Sequence, residues 1–325
     1  MAWLPRAVAH ALHSAAAMRT LLASALALFP ALTACAVADH GADSEVPFDL
    51  AETAGTIVPD VRCAAAPDAG PRASWRHLSS NVIAAASPKH RGFDVIAGAA
   101  DASQVLAGEA SYGTVDKALE DEYVDLFACK AGAWQKVGSA LTNSEGGFRL
   151  TLSGTSRLAI GMRDLFLSVR GDRTGTRFLA LVLPTGAALA VSDVDGTLTS
   201  SENAFPESLV TGAAVAVHAS APAALTRLAG RGYHPVYITA RGDVFTEATR
   251  SWLAQVGLPR GPMRLAPSAI TLPGDPTIAF KTGAMTELEQ HGLEVAVGVG
   301  NRATDIAAYT NVGVAPGSIL IKLPE

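Results

Sequence analysis

Asp193 and Asp195 follow a short apolar run, Ala187 to Ser192, and are followed at once by Gly196 and Thr197. A run with so little polar alternation reads as a strand buried on both faces. Side chains two apart on a strand share a face, so both carboxylates leave the strand end toward one place. In open parallel sheets that place binds ligands. Carboxylates this close repel unless a cation lies between them or one is protonated, and a hard ion such as Mg²⁺ suits an all-oxygen setting. One carboxylate can then attack phosphorus while the other handles the proton of the leaving group. An Asx-rich turn after a core strand would give the same five residues, Asp-Val-Asp-Gly-Thr, so the rest of the chain must decide.

Three further stretches bear on that choice. Val236-Tyr-Ile-Thr239-Ala240-Arg241 is a second apolar strand ending in a hydroxyl and a guanidinium. A strand-end threonine can donate to a phosphoryl oxygen without adding charge, and an arginine can grip a second oxygen of the phosphate or headgroup. Phe280-Lys281 opens a helical stretch, from which the ammonium can neutralise charge developing on a phosphoryl group. Val295-Ala-Val-Gly-Val-Gly300-Asn301-Arg302-Ala-Thr-Asp305 is a third strand ending in a glycine turn. Its Asn301 and Asp305 offer an amide and a carboxylate oxygen, which with waters complete an octahedral ion. Taken singly these are a common strand end, a solvated lysine and an ordinary helix start. Taken together, their order and spacing are not those of coincidence.

The elements that position these residues alternate along 185–325. Strand-like runs at 189–192, 236–239, 263–265 and 295–299 are separated by helical ones at 221–229, 245–256, 282–290 and 304–309. That alternation predicts a parallel sheet with helices on its faces. In the 245–256 helix, Phe245, Ala248, Trp252 and Val256 form the expected apolar stripe, and Gly257 with Pro259 stops it. Residues 92–184 read instead as all-β, with short runs at 94–97, 123–128, 147–152, 165–169 and 177–182 divided by glycine-rich turns. A small sandwich of immunoglobulin-like type is expected there, without a catalytic constellation.

The 325 residues allow about two domains. A hydrophobic content of 49% leaves ample core, and a formal charge of −5 argues against a nucleic-acid partner. Residues 1–34 read as a signal segment, with an apolar stretch from Leu21 to Leu32 too short to span a bilayer. It ends Leu32-Thr33-Ala34-Cys35, which resembles a bacterial lipobox, so Cys35 is the expected lipidated residue. The chain is then expected to be exported and held to the cell-envelope membrane on its periplasmic side by acyl chains. Residues 35–91, rich in Ala, Pro, Asp and Gly, read as a tether. Cys63 and Cys129 would remain as either a disulfide or two buried thiols.

Asp193-Val-Asp195-Gly-Thr, Thr239, Lys281 and Gly300-Asn-Arg-x-x-Asp305 match in order the four motifs of haloacid-dehalogenase-superfamily phosphatases. Val191 to Thr199, Tyr237 to Arg241, Gly261 to Ser268, Phe280-Lys281 and Gly300 to Tyr309 further resemble the catalytic domain of lipins, which are Mg²⁺-dependent phosphatidic acid phosphatases. The resemblance implies a Rossmannoid α/β domain over 185–325, preceded by the sandwich. It implies that Asp193 is the nucleophile that forms an aspartyl-phosphate, and that Asp195 protonates the alkoxide and then activates water. Thr239 and Lys281 would hold phosphoryl oxygens, with Gly196, Thr197, Ala240 and Arg241 around the substrate. Mg²⁺ would rest on Asp193, the backbone carbonyl of Asp195, and Asn301 or Asp305.

Thr239 lies only about forty residues beyond Gly196, and Lys281 about as far beyond Thr239, so no large cap is expected. An uncapped site suits a phosphate displayed on a membrane, since capped relatives close over small metabolites to exclude water. The expected substrate is phosphatidic acid. The alternatives are another exported phosphomonoester, such as a sugar phosphate or nucleotide, and a phosphatidic-acid-binding module without turnover. The last is found in lipin-like domains of lipid-transfer proteins that lack the catalytic aspartates, whereas Asp193 and Asp195 are both present here.

Overall fold

The computed structural model describes residues 55–267 and 274–322. The expected signal segment and Cys35 lie outside them. In chain order the β-rich half holds β1 (Asp60–Val61), α1 (Leu78–Ile83), β2 (Arg91–Phe93), β3 (Val95–Gly98), β4 (Ser103–Glu109), β5 (Ser111–Tyr112) and β6 (Lys117–Ala118). It continues with β7 (Tyr123–Lys130), β8 (Ala133–Leu141), β9 (Gly147–Ser153), β10 (Gly161–Val169) and β11 (Gly175–Leu183). One sheet runs β3-β11-β10-β7-β8 and a smaller one β2-β4-β9. Leu106, Phe148 and Leu152 of the smaller sheet meet Leu126, Leu165, Leu167 and Phe178 of the larger across an apolar core. This is the expected sandwich.

The other face of the larger sheet is buried as well. Ile96, Leu181 and Leu183 pack with Leu189, Val191 and Val236 of the α/β half. Burial on both faces explains why Phe178 to Leu183 is continuously apolar and does not alternate. Asp94 also joins the halves. Its carboxylate accepts from the backbone N–H of Leu179 at 2.7 Å and of Met263 at 2.8 Å, and from Arg250 at 2.9 and 3.1 Å.

Much of the stretch expected to be a tether is laid onto this body instead. β1 pairs in parallel with Met162 and Arg163 of β10, next to where the pairing of β7 with Leu165–Val169 ends. Cys63 is bonded to Cys129, with 5.9 Å between Cα atoms. Trp75 lies against Gly171 and the sandwich core. A stretch of this composition builds little structure of its own, but it can borrow a strand edge, a cysteine and a pocket for one indole.

The second half holds β12 (Ala188–Ser192), α2 (Ala204–Thr211), α3 (Ala221–Gly230), β13 (His234–Gly242) and α4 (Thr246–Gln255). After it come β14 (Met263–Ala266), α5 (Asp275–Gln290), β15 (Glu294–Gly300), α6 (Ala303–Asn311) and β16 (Ile319–Ile321). The sheet order is β14-β13-β12-β15-β16, and every neighbouring pair is parallel. Chain order reverses between β12 and β15, so a crevice opens at their carboxyl ends. Between β12 and β13 the described helices are α2 and α3 alone, with no separate cap.

Two helices differ from expectation. α4 buries Thr246, Thr249, Trp252 and Leu253 while Ala248 faces out, because Thr249 receives a hydrogen bond from Arg241. α5 starts at Asp275, six residues before Lys281, with Pro276 in its first turn. Lys281 is therefore inside the helix and heads its buried stripe of Ala284, Met285 and Leu288.

Candidate active site

Strand ends supply the site. Asp193 follows β12, its N–H donating to the Val299 carbonyl of β15 at 2.9 Å, and its side chain is buried. Lys281 donates to Asp193 Oδ1 and to Asp305 Oδ1, each at 2.6 Å. The Thr197 hydroxyl lies 3.0 Å from Asp193 Oδ2 and 3.1 Å from Asn301 Oδ1. The turn that brings Thr197 back needs Gly196, whose φ is +75° and where a Cβ would come within 2.3 Å of Asn301 Nδ2.

Burial pushes the Asp193 carboxyl above its ordinary range, against the pull of the Lys281 ammonium and with the help of Asp305 and Asp195. Burial also works against the Lys281 ammonium, but Asp193 and Asp305 together outweigh it and hold the lysine above its usual value. The lysine thus stays charged between two carboxylates.

Asp195 sits across the turn, half-buried. Thr239 donates to its Oδ2 at 3.2 Å, and Arg241 grips both oxygens, with Nε at 2.9 and 3.1 Å and Nη2 at 2.7 Å. The β13–β14 register shifts between Thr239 and Gly242. Ala240 and Arg241 occupy that irregularity, and such a bulge re-aims a side chain. The guanidinium is caged: its carbon lies 3.8 Å from the Phe205 ring centroid and 5.8 Å from that of Trp252, and Nη1 reaches Thr249 at 3.1 Å.

The oxygens suited to a cation are those of Asp193, Asn301 and Thr197, with the backbone carbonyl of Asp195 in the same turn. Asn301 Nδ2 donates to Glu202 Oε1 at 2.7 Å. An ionised carboxylate only accepts, so Glu202 takes the amide nitrogen and leaves the amide oxygen toward Thr197. Asp305 is engaged elsewhere: Oδ2 accepts the N–H groups of Asn301 and Arg302 at 3.0 and 3.1 Å, and Oδ1 accepts Lys281. Of the two residues expected as alternatives, Asn301 has the freer oxygen. Among the described residues no group of three His, Cys, Asp or Glu gathers to hold a metal. The donor set is nonetheless all hard oxygen, which fits Mg²⁺ completed by water.

Every described residue expected at the site therefore lies at these strand ends or, for Lys281 and Asp305, on the helices α5 and α6 beside them. The sequence reading missed Glu202, Phe205, Thr249 and Trp252 as parts of it. Only Trp252 carried a signal, as a helix-stripe residue on the element following Arg241.

Fold and site together define an α/β domain with a paired-aspartate crevice behind a β-sandwich. Residues 190–322 match the family described as PITM 1-3, LNS2 domain, and residues 88–182 match PITM 1-3, beta-sandwich domain. The chain thus carries a β-sandwich region followed by an LNS2 domain. Over 263 residues it is 29% identical to Membrane-associated phosphatidylinositol transfer protein 3 of Homo sapiens, covering 79% of this chain and 26% of that protein. Over 257 residues it is 30% identical to Protein retinal degeneration B of Drosophila melanogaster, covering 77% and 20%. The chain thus spans about a quarter or less of these relatives' length. A class C acid phosphatase from Bacillus anthracis with tungstate bound overlaps 42% of this chain and 66% of its own, at 16% identity and a TM-score of 0.32. That likeness is too slight to argue from.

Proposed function

We propose that the chain is a Mg²⁺-dependent phosphomonoester hydrolase whose substrate is phosphatidic acid or a close membrane-borne relative. The observation that supports this most is the state of Asp193. It is buried, held at one oxygen by Lys281 and at the other by Thr197, with a second carboxylate two residues on. In this reading an Asp193 oxygen bonds to phosphorus as the ester P–O bond breaks, and Asp195 gives its proton to the departing alkoxide. Water then attacks the aspartyl-phosphate, Asp195 takes the water's proton, and phosphate leaves with the Asp193 carboxylate restored. Lys281 and Thr239 stabilise the charge on the phosphoryl oxygens. Mg²⁺, when bound by Asp193, Asn301 and the Asp195 carbonyl, supplies Lewis-acid polarisation of the phosphoryl group.

A second reading, binding of phosphatidic acid without turnover, is favoured by one observation: Arg241 occupies both oxygens of Asp195. The third is hydrolysis of a soluble phosphomonoester. Release of inorganic phosphate separates them, assayed on vesicle phosphatidic acid, glycerol 3-phosphate and a nucleoside monophosphate, with Mg²⁺ and with EDTA. The first reading expects Mg²⁺-dependent release that is fastest with the lipid. Binding of phosphatidic acid with no release from any substrate would establish the second. A soluble substrate ahead by tenfold in kcat/KM, about 1.4 kcal/mol, would establish the third.

A further inference from the structure

The end of the sandwich that carries α1 exposes apolar side chains. Leu78 and Val82, one turn apart on the outer side of α1, are 93% and 74% exposed. Val115 is 84% exposed at the tip of a neighbouring loop. The two features touch: Gly113 N–H donates to the Ser87 carbonyl at 2.8 Å, and a Cβ on Gly113 would meet that of Ala86. Burying Ser80 on the inner side and packing Ile83 against the core fixes which face of α1 points out.

Charge and position suggest what covers this face. Of the acidic side chains beside it, Asp116 and Glu109 are engaged by Arg91, and Asp121 by Arg76 and His77, while Glu120 is exposed. Lys89 and Lys117 are exposed and have no ion pair among the described residues. The face thus offers apolar side chains with two exposed ammonium groups that have no ion pair of their own among the described residues. The face also runs on toward the active site. Val115, Lys89 and Arg91 line one cleft of about 830 Å³ with Val244 and Phe245, and Val244 lies three residues beyond Arg241.

We propose that Leu78, Val82 and Val115 insert into an anionic bilayer, with Lys89 and Lys117 against its phosphates, and so seat the site's mouth on the membrane. The inference rests on the reading that the substrate is membrane-borne. The apolar side chains enter the interface, the lysines gain from anionic lipid, and the attraction weakens with salt.

The test uses the full chain carrying Cys35→Ala, so that acylation contributes nothing, and vesicles of phosphatidylcholine with phosphatidylglycerol. Phosphatidylglycerol is a phosphodiester, so binding is read independently of turnover, and a failure of the enzymatic reading leaves this result intact. Co-sedimentation should fall roughly tenfold or more in Leu78→Ser/Val82→Ser/Val115→Ser, and by a similar factor in Lys89→Glu/Lys117→Glu. The second loss should shrink at high salt. Ile160→Ser, exposed before β10 at the opposite end of the sandwich, should bind as the parent does. Hydrogen exchange at 78–90 and 113–117 should slow when vesicles are added. Unchanged binding in both multiple variants would overturn the proposal. So would a parent chain that ignores the vesicles but self-associates through this face, with the variants monomeric in sedimentation velocity.

Discussion

Arg241 grips Asp195 more firmly than anything holds Asp195 to the rest of the site. The arginine is 4% exposed and stacked on Phe205, whereas the aspartate is 27% exposed. The cage fixes the guanidinium, so Asp195 is the partner that must rotate to reach a leaving oxygen. An incoming phosphate offers the same fork of donors a replacement for the carboxylate.

Arg241→Lys tests this arrangement. Lysine keeps the charge but presents no planar fork, and hydrogen bonds to charged groups contribute about 1.5–3 kcal/mol each. We expect kcat/KM to fall roughly ten- to a hundredfold, with KM rising. Parent-like kinetics would mean that Arg241 neither meets the substrate nor orders Asp195.

Asp193→Asn should reduce turnover by roughly 10⁴-fold or more, the scale of losing a covalent nucleophile, and remove any acid-stable phosphoenzyme. The fold should persist, because Lys281 keeps Asp305 as its ion-pair partner. Lys281→Met should do the opposite to stability. It leaves two buried carboxylates facing each other, a loss of about 3–5 kcal/mol, measurable by urea denaturation at neutral pH. Equal stability of the two variants would contradict the charge arrangement described above.

Acid should weaken the sandwich through His90. Its Nε2 meets the Thr174 hydroxyl at 2.8 Å while Nδ1 accepts the Ser111 N–H at 3.3 Å, an arrangement that uses the neutral ring. Burial, only partly offset by Asp172 and Asp116, pulls it from 6.5 down to about 4. A histidine depressed on folding contributes its full stability above its unfolded value and loses it as pH falls through 6.5 toward 4. The difference corresponds to about 3 kcal/mol. Urea midpoints at pH 7, 5 and 4 should fall steadily in the parent and less steeply in His90→Gln.

Reduction of the disulfide should matter in proportion to the loop that it closes. Cys63 and Cys129 are 66 residues apart, for which chain entropy gives about 4 kcal/mol. Cys63→Ala, Cys129→Ala and the double variant should be destabilised alike in denaturant titrations, and reductant should lower the parent to their level. Insensitivity of the parent to reductant under unfolding conditions would argue that the bond does not form in solution.

What could be read from the sequence follows strand geometry. Asp193, Thr239 and Asn301 end apolar runs, and a parallel sheet brings such ends together whatever the loops do. The sequence marks Lys281 as chemistry but suggests a helix that opens there; the stripe Lys281, Ala284, Met285, Leu288 sets a charged residue on a core face, which a hydrophobic pattern does not report. Glu202 and Phe205 act across about a hundred and about thirty-six residues respectively, on Asn301 and Arg241, and no local pattern reports such a pairing. β4 escaped because its inward Gln104 looks solvent-facing, although it pairs with both backbone groups of Leu158. Residues 60–63 escaped because they borrow another strand's edge, a contact that composition does not encode.

The second buried face of the larger sheet sets an order of events. A chain made from its amino end completes the sandwich before the residues that cover Ile96, Leu181 and Leu183 have emerged. Until Leu189, Val191 and Val236 arrive, that sheet presents wet hydrocarbon, so the first half is exposed to misassembly for as long as synthesis of the second half takes. Stopping the chain after Leu183 would make that interval permanent, and the sandwich alone should come out of solution unless the same face is recoated with polar side chains.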